Sequence, residues 1–248
     1  MKDDIILELC IENGTRIDEL IAKGADRVEL CDNLAAGGTT VSYGVAAGVI
    51  RRCRSAGVKV MAMIRPRGGN FVYDDNEFAA MLDDTDMMLK LGAGGIVFGC
   101  LTAENRLDRE KNLCLIRMAE LPAVTSPDGP LSPADSPAVT GAVCSAGSPA
   151  GADSGIDRVF HMAFDHINPA EQLDSIRWLA DNGVTRILTH GSADLSIPIE
   201  QNYTLLREYA AAAGAAVEIL PGGGITAGNY REICAALGVR QVHGTRVL

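Results

Sequence analysis

Acidic, basic, imidazole and thiol side chains recur in this chain at one kind of place, the end of a short apolar run. Glu8 stands two residues before Cys10, and Glu29 two before Cys31. Arg65 and Arg67 flank Pro66 in the string from Ile64 to Phe71, and His161 and Asp165 lie in Phe160-His161-Met162-Ala163-Phe164-Asp165. Side chains two apart on a strand share a face. That parity predicts Glu8, Glu29, Arg65, Arg67, His161 and Asp165 as one candidate catalytic cluster, with Phe160, Met162 and Phe164 on the opposite, apolar face of their strand. A histidine among carboxylates can serve as general acid or base, and paired arginines clamp an anion. In this reading His161 moves the proton, Asp165 orients it, Glu8 or Glu29 is a second carboxylate, and Arg65 and Arg67 hold the anion. Cys10 and Cys31 share parity with their neighbouring glutamates and are the metal-ligand candidates, since thiolates select monovalent copper or zinc over hard cations. Each residue also has a purely structural reading: a strand-end ion pair, a hydrogen-bonded core histidine, a small buried cysteine. Gly222, Gly223 and Gly224 either bind an anion on backbone N–H groups, with Gly244-Thr245-Arg246 completing the nest, or simply turn the chain.

Positioning such a cluster needs many parallel strands ending at one face. Strand-like runs are expected at residues 5–10, 26–31, 58–64, 95–101, 157–164, 185–190, 216–220 and 240–243. Helix-like runs fall between them at 15–23, 45–55, 76–91, 109–120, 169–182, 199–213 and 228–237, most closed by glycine. Strict β/α alternation means a parallel sheet, and eight strands favour closure. The expected fold is α/β, a TIM-type (β/α)8 barrel as a single domain over 1–248, with its chemistry at the C-terminal strand ends. No Gly-x-Gly-x-x-Gly follows the first strand, which argues against dinucleotide binding.

Two features depart from a plain barrel. Residues 124–155 form a Pro/Ser/Ala/Gly-rich tract that holds half of the chain's ten prolines. Its composition predicts a disordered insert before the fifth strand, away from the site. The sequence also ends at Leu248, directly after the eighth strand, without an eighth helix. The expectation is an uncovered flank and a homo-oligomer that covers it.

A net charge of −10 disfavours nucleic acid, whose phosphates reward basic patches, but leaves room for a small anionic ligand held by a few arginines. No apolar stretch reaches membrane-spanning length, and the acidic start Met1-Lys2-Asp3-Asp4 does not resemble a signal peptide. Seven dispersed cysteines without C-x-x-C form neither a disulfide framework nor a zinc finger. A reduced cytoplasmic setting is expected.

The ordered strings Leu7-Glu8-Leu9-Cys10, Gly24 to Cys31, Ile64 to Phe71, Phe98-Gly99, Phe160 to Asp165, Ile187-Leu188-Thr189 and Pro221 to Gly224 resemble the CutC family of copper homeostasis proteins. The resemblance covers nearly the whole chain outside 124–155. It implies a cytoplasmic TIM-type barrel, often oligomeric, linked to copper handling. The chain departs from the family pattern at Met162, where arginine is usual, at His190, where serine is usual, and in stopping without a further helix. Three functions compete: a copper-binding homeostasis protein using Cys10 and Cys31, an enzyme acting on a small anionic or phosphorylated substrate, and a scaffold with a vestigial site.

Overall fold

Short apolar runs between capped helices build eight strands in the computed structural model, which describes residues 4–120 and 155–248. They are β1 (Ile6–Glu12), β2 (Arg27–Cys31), β3 (Lys59–Met63), β4 (Gly95–Phe98), β5 (Asp157–Phe160), β6 (Arg186–Thr189), β7 (Glu218–Pro221) and β8 (Gln241–Gly244). Each strand from β1 to β6 pairs in parallel with its successor, and β1 also pairs with β8. The order β7-β6-β5-β4-β3-β2-β1-β8 brings the sheet round on itself. A hydrogen bond from Gln241 on β8 to the carboxylate of Glu218 on β7 spans the seam. The nearly closed barrel is the TIM-type fold that the alternation predicts.

Seven α-helices pack outside the barrel among the described residues: α1 (Ile17–Ala22), α2 (Tyr43–Ser55), α3 (Asp75–Leu91), α4 (Arg109–Glu120), α5 (Pro169–Asp181), α6 (Tyr203–Ala213) and α7 (Tyr230–Leu237). Their boundaries follow local chemistry. The hydroxyl of Ser42 caps α2 by accepting from the Val45 amide. Asp74 and Glu77 form a reciprocal capping box on α3, which Gly92 closes in the left-handed conformation at φ 85°. Pro169 opens α5, where its missing N–H costs nothing.

Strand parity sorts the side chains into two layers. Leu7, Leu9, Val28, Val60, Phe98 and Ile187 face outward and are buried with helix residues such as Leu20, Ile50 and Met81. Met61, Met63, Val97, Val159, Leu188 and Leu220 fill the barrel interior together with Cys31. Below them a polar layer crosses the N-terminal end, where Asp157 pairs with Lys59 at 2.6 Å and Arg186 at 2.7 Å.

The tract expected to be disordered lies, apart from Gly155, outside the described residues. No helix follows β8 before Leu248, but the expected bare flank does not appear. Leu7, Leu9, Val242 and Val247 are buried, and the large apolar side chains exposed among the described residues are Ile6, Tyr43 and Leu195. No helix among the described residues is long and apolar enough to cross a membrane.

Candidate functional site

The inward face of β1 carries Glu8 and Cys10, that of β2 carries Arg27, Glu29 and Cys31, and that of β8 carries Gln241 and His243. Parallel pairing sets Cys10 opposite Glu29 and Glu8 opposite His243. A buried ladder results. Arg27 donates through Nε to Glu8 and, at 2.7 Å, to Gln241. The other oxygen of Glu8 lies 2.9 Å from Nδ1 of His243. Nε2 of His243 then lies 3.6 Å from Oε2 of Glu29, which is 3.5 Å from the Cys31 sulfur. The Cys10 and Cys31 sulfurs are 3.9 Å apart.

The electrostatics divide this ladder. Burial alone would raise the Glu8 carboxyl, but the Arg27 guanidinium and His243 prevail and hold it down at about 2. Burial drives Glu29 well upward, opposed by His243 and reinforced by Cys10 and Glu8. Burial also works against the charged form of His243, yet Glu29, Cys10 and Glu8 together push it well above the usual imidazole range. The shared sulfur–sulfur hydrogen bond lowers Cys10 well below the usual thiol range and raises Cys31. Cys10, Glu29 and His243 each offer a ligand atom within 4.8 Å of the others.

These groups form the floor of a cavity of about 280 Å³ at the C-terminal mouth. Its walls include Arg65, Phe71, His161, Met162, Leu188 and the loops after β7 and β8. Of the six residues that parity assigned to one pocket, Glu29, Arg65 and His161 line this cavity. Glu8 lies beneath it, 1 % exposed, and reaches it through His243.

Arg67 and Asp165 do not belong to the cavity, and the reason is the same for both. Side-chain alternation holds only as far as the strand does, and both residues lie past a strand end. β3 stops at Met63, and the Glu77 carboxylate of the α3 capping box draws Arg67 outward into an ion pair. Arg67 also donates at 2.7 Å to the Val72 carbonyl. β5 stops at Phe160, not 164, and the chain enters a 3₁₀ turn, Met162–His166. The turn carries Asp165 to the β6 side, where it accepts from the Thr189 hydroxyl and, at 2.9 and 3.0 Å, from the amides of His190 and Gly191. Asp165 therefore secures the end of β6 and makes no hydrogen bond to His161. Burial raises its carboxyl to about 6, against those three hydrogen bonds.

His161 itself caps the 3₁₀ turn, its Nδ1 accepting at 3.2 Å from the Ala163 amide. Burial, aided by the positive charge of Arg65, lowers its pKa to about 3, so the ring is neutral. Of the three glycines, Gly223 and Gly224 line the cavity, while the Gly222 amide is committed to the Thr189 carbonyl at 3.0 Å. The two residues that depart from the family pattern have distinct places. Met162 joins the cavity wall. His190 sits between the carbonyls of Gly222 at 3.0 Å and Ile197 at 2.9 Å, tying two mouth loops together.

The sequence reading passed over His243 as a site residue. The signal was present, since it ends the eighth strand two residues after Gln241. Its value emerges only when β8 closes on β1 and sets it against Glu8.

Comparison with known proteins agrees with this architecture. The sequence model of the CutC family matches residues 5–127 and 148–248. A CutC family protein from Enterococcus faecalis is 42 % identical over 98 % of this chain and the whole of its own length. The copper homeostasis protein cutC homolog of Homo sapiens is 30 % identical over 96 % of this chain and 72 % of its own length. Among solved structures, CutC from Streptococcus agalactiae superposes with a TM-score of 0.81 at 39 % identity, covering 98 % of this chain and all of its own. Citrate synthase SbnG, at 16 % identity and a TM-score of 0.59 over 97 % of this chain and 86 % of its own, shares the barrel fold alone.

Proposed function

This chain belongs to the CutC family, and from the geometry of its barrel floor we propose that it takes part in copper homeostasis by binding monovalent copper through Cys10 and Cys31, with His243 as third ligand. The observation that carries the reading is the 3.9 Å separation of the two sulfurs. Two thiolates each about 2.3 Å from one metal ion at a tetrahedral angle stand roughly 3.8 Å apart. The pair already has the spacing of two ligands on one ion.

Soft sulfur donors suit monovalent copper. His243 is oriented for the task, because Nδ1 donates to the Glu8 carboxylate, which fixes the ring and leaves Nε2 facing Cys10 and Glu29, the usual support of a metal-binding imidazole. Glu29 is the nearest oxygen donor and bears a buried, unpartnered Oε1. Met63, Met162 and Leu188 give the cavity above it an apolar wall. A reducing, cytoplasmic setting keeps both thiols available.

The test is an anaerobic titration of the reduced protein with monovalent copper against a chromogenic competitor. One ion per chain is expected, with binding lost in the Cys10→Ser/Cys31→Ser double variant and weakened in His243→Gln. A double variant that binds as well as the parent refutes the assignment. Zinc retained in preference to copper refutes the metal.

A further inference from the structure

Phe71 packs beside two groups that the copper reading leaves unused. The guanidinium carbon of Arg65 lies 4.9 Å from the centroid of its ring, and the His161 imidazole lies 5.0 Å from it. Arg65 is 4 % exposed and His161 3 %. Arg65 donates through Nη1 to the carbonyls of Ala36 at 3.0 Å and Gly38 at 2.9 Å, and through Nη2 to that of Gly69 at 2.9 Å. Its Nε is buried without a hydrogen-bond partner. Among the described residues no carboxylate forms an ion pair with it. A buried guanidinium held by carbonyl dipoles, with the Tyr73 hydroxyl and the Phe71 ring beside it, has no anionic partner among the described residues, and buried charges are normally paired.

His161 presents a second orphan. Its Nδ1 accepts from the Ala163 amide, so the neutral ring carries its proton on Nε2. That N–H is also buried without a partner. Native structures leave few such groups unsatisfied, and each calls for an explanation. Here both orphans are donors, both belong to side chains lining the same 280 Å³ cavity, and one carries a full positive charge.

We infer that the cavity binds a small organic carboxylate, one oxygen accepting from Nε of Arg65 and the other from Nε2 of His161, with a compact apolar body against Phe71 and Met162. Two donors match the two oxygens of a carboxylate, whereas a phosphate has more anionic oxygens to satisfy. The wall residues Met63, Met162 and Leu188 favour a hydrocarbon body of a few carbons. The inference rests on Arg65, Phe71 and His161, and it stands or falls independently of copper.

Isothermal titration of the full, metal-free chain at pH 7 with butanoate tests it, with inorganic phosphate and butylammonium as comparison probes. One butanoate per chain is expected, in preference to both. His161→Asn keeps a side-chain oxygen to accept from Ala163 but has no Nε2–H, and Arg65→Lys keeps the charge without the fork. Each is expected to weaken butanoate on the order of tenfold, the value of one charge-assisted hydrogen bond. If Arg65→Lys fails to fold, as its three loop carbonyls allow, His161→Asn decides alone, with its melting curve as the control. Absence of saturable butanoate binding, preference for phosphate or butylammonium, or equal binding by a folded His161→Asn variant overturns the inference.

Discussion

Acidification from pH 7.5 to 5.5, compared between wild type and His161→Asn, reads the energetic cost of burying His161. Its pKa falls from an ordinary 6.5 in the unfolded chain to about 3 in the barrel, first because it is buried and then because Arg65 lies near. A depressed native pKa means the unfolded chain takes up the proton first. The stabilising contribution of the neutral ring is therefore complete above pH 6.5 and is lost as pH falls toward 3. Each pH unit within that window costs about 1.4 kcal/mol. Integrated from pH 7.5 to 5.5, the loss is about 1.3 kcal/mol, because titration of the unfolded histidine begins only near 6.5.

Asp165 acts in the opposite direction over part of the same range. Its native pKa is raised to about 6, so the folded state gains stability as pH falls through that value. Wild-type stability alone therefore underestimates the His161 effect. Urea unfolding of wild type and His161→Asn at both pH values cancels the contribution of Asp165, which both proteins share. The wild type should lose about 1.3 kcal/mol more than the variant on going to pH 5.5. Equal losses would show that His161 is hydrated or already protonated in the native state, and the argument for a neutral buried donor would fail with it.

Two further substitutions test the barrel floor and the seat of His161. Glu8→Ala removes the carboxylate shared by Arg27 and His243 and leaves buried charge uncompensated, so denaturant unfolding at pH 7 should show a loss of about 3–5 kcal/mol; a loss under about 1 kcal/mol would mean that water reaches the ladder. Gly99→Ala places a methyl group 2.7 Å from Cε1 of His161, so the ring must shift at a cost of about 1–3 kcal/mol, read as a lower melting temperature; an unchanged melting temperature would contradict the packing around that ring.

The sequence by itself determined the barrel. Eight apolar runs separated by capped helices leave few alternatives to a closed parallel sheet, and the observed helices α3, α4 and α5 begin and end within a residue of the expected positions. The sequence also identified the same-face thiols Cys10 and Cys31, since strand parity holds wherever a strand is continuous. Parity failed where the strands stopped. Nothing local marks the turn at residue 161, because the apolar alternation runs on through Phe164 while the backbone does not. Asp165 was drawn to β6 by three donors that only the folded neighbour provides, and Arg67 was drawn out by a carboxylate that the α3 capping box holds in place. Tertiary structure alone decided the role of His243. Its ring meets Glu8 across a sequence separation of 235 residues, when the last strand closes on the first. Its protonation, its orientation and its reach toward the thiols all follow from that closure, because burial removes water and leaves Glu8, Glu29 and Cys10 to set its charge.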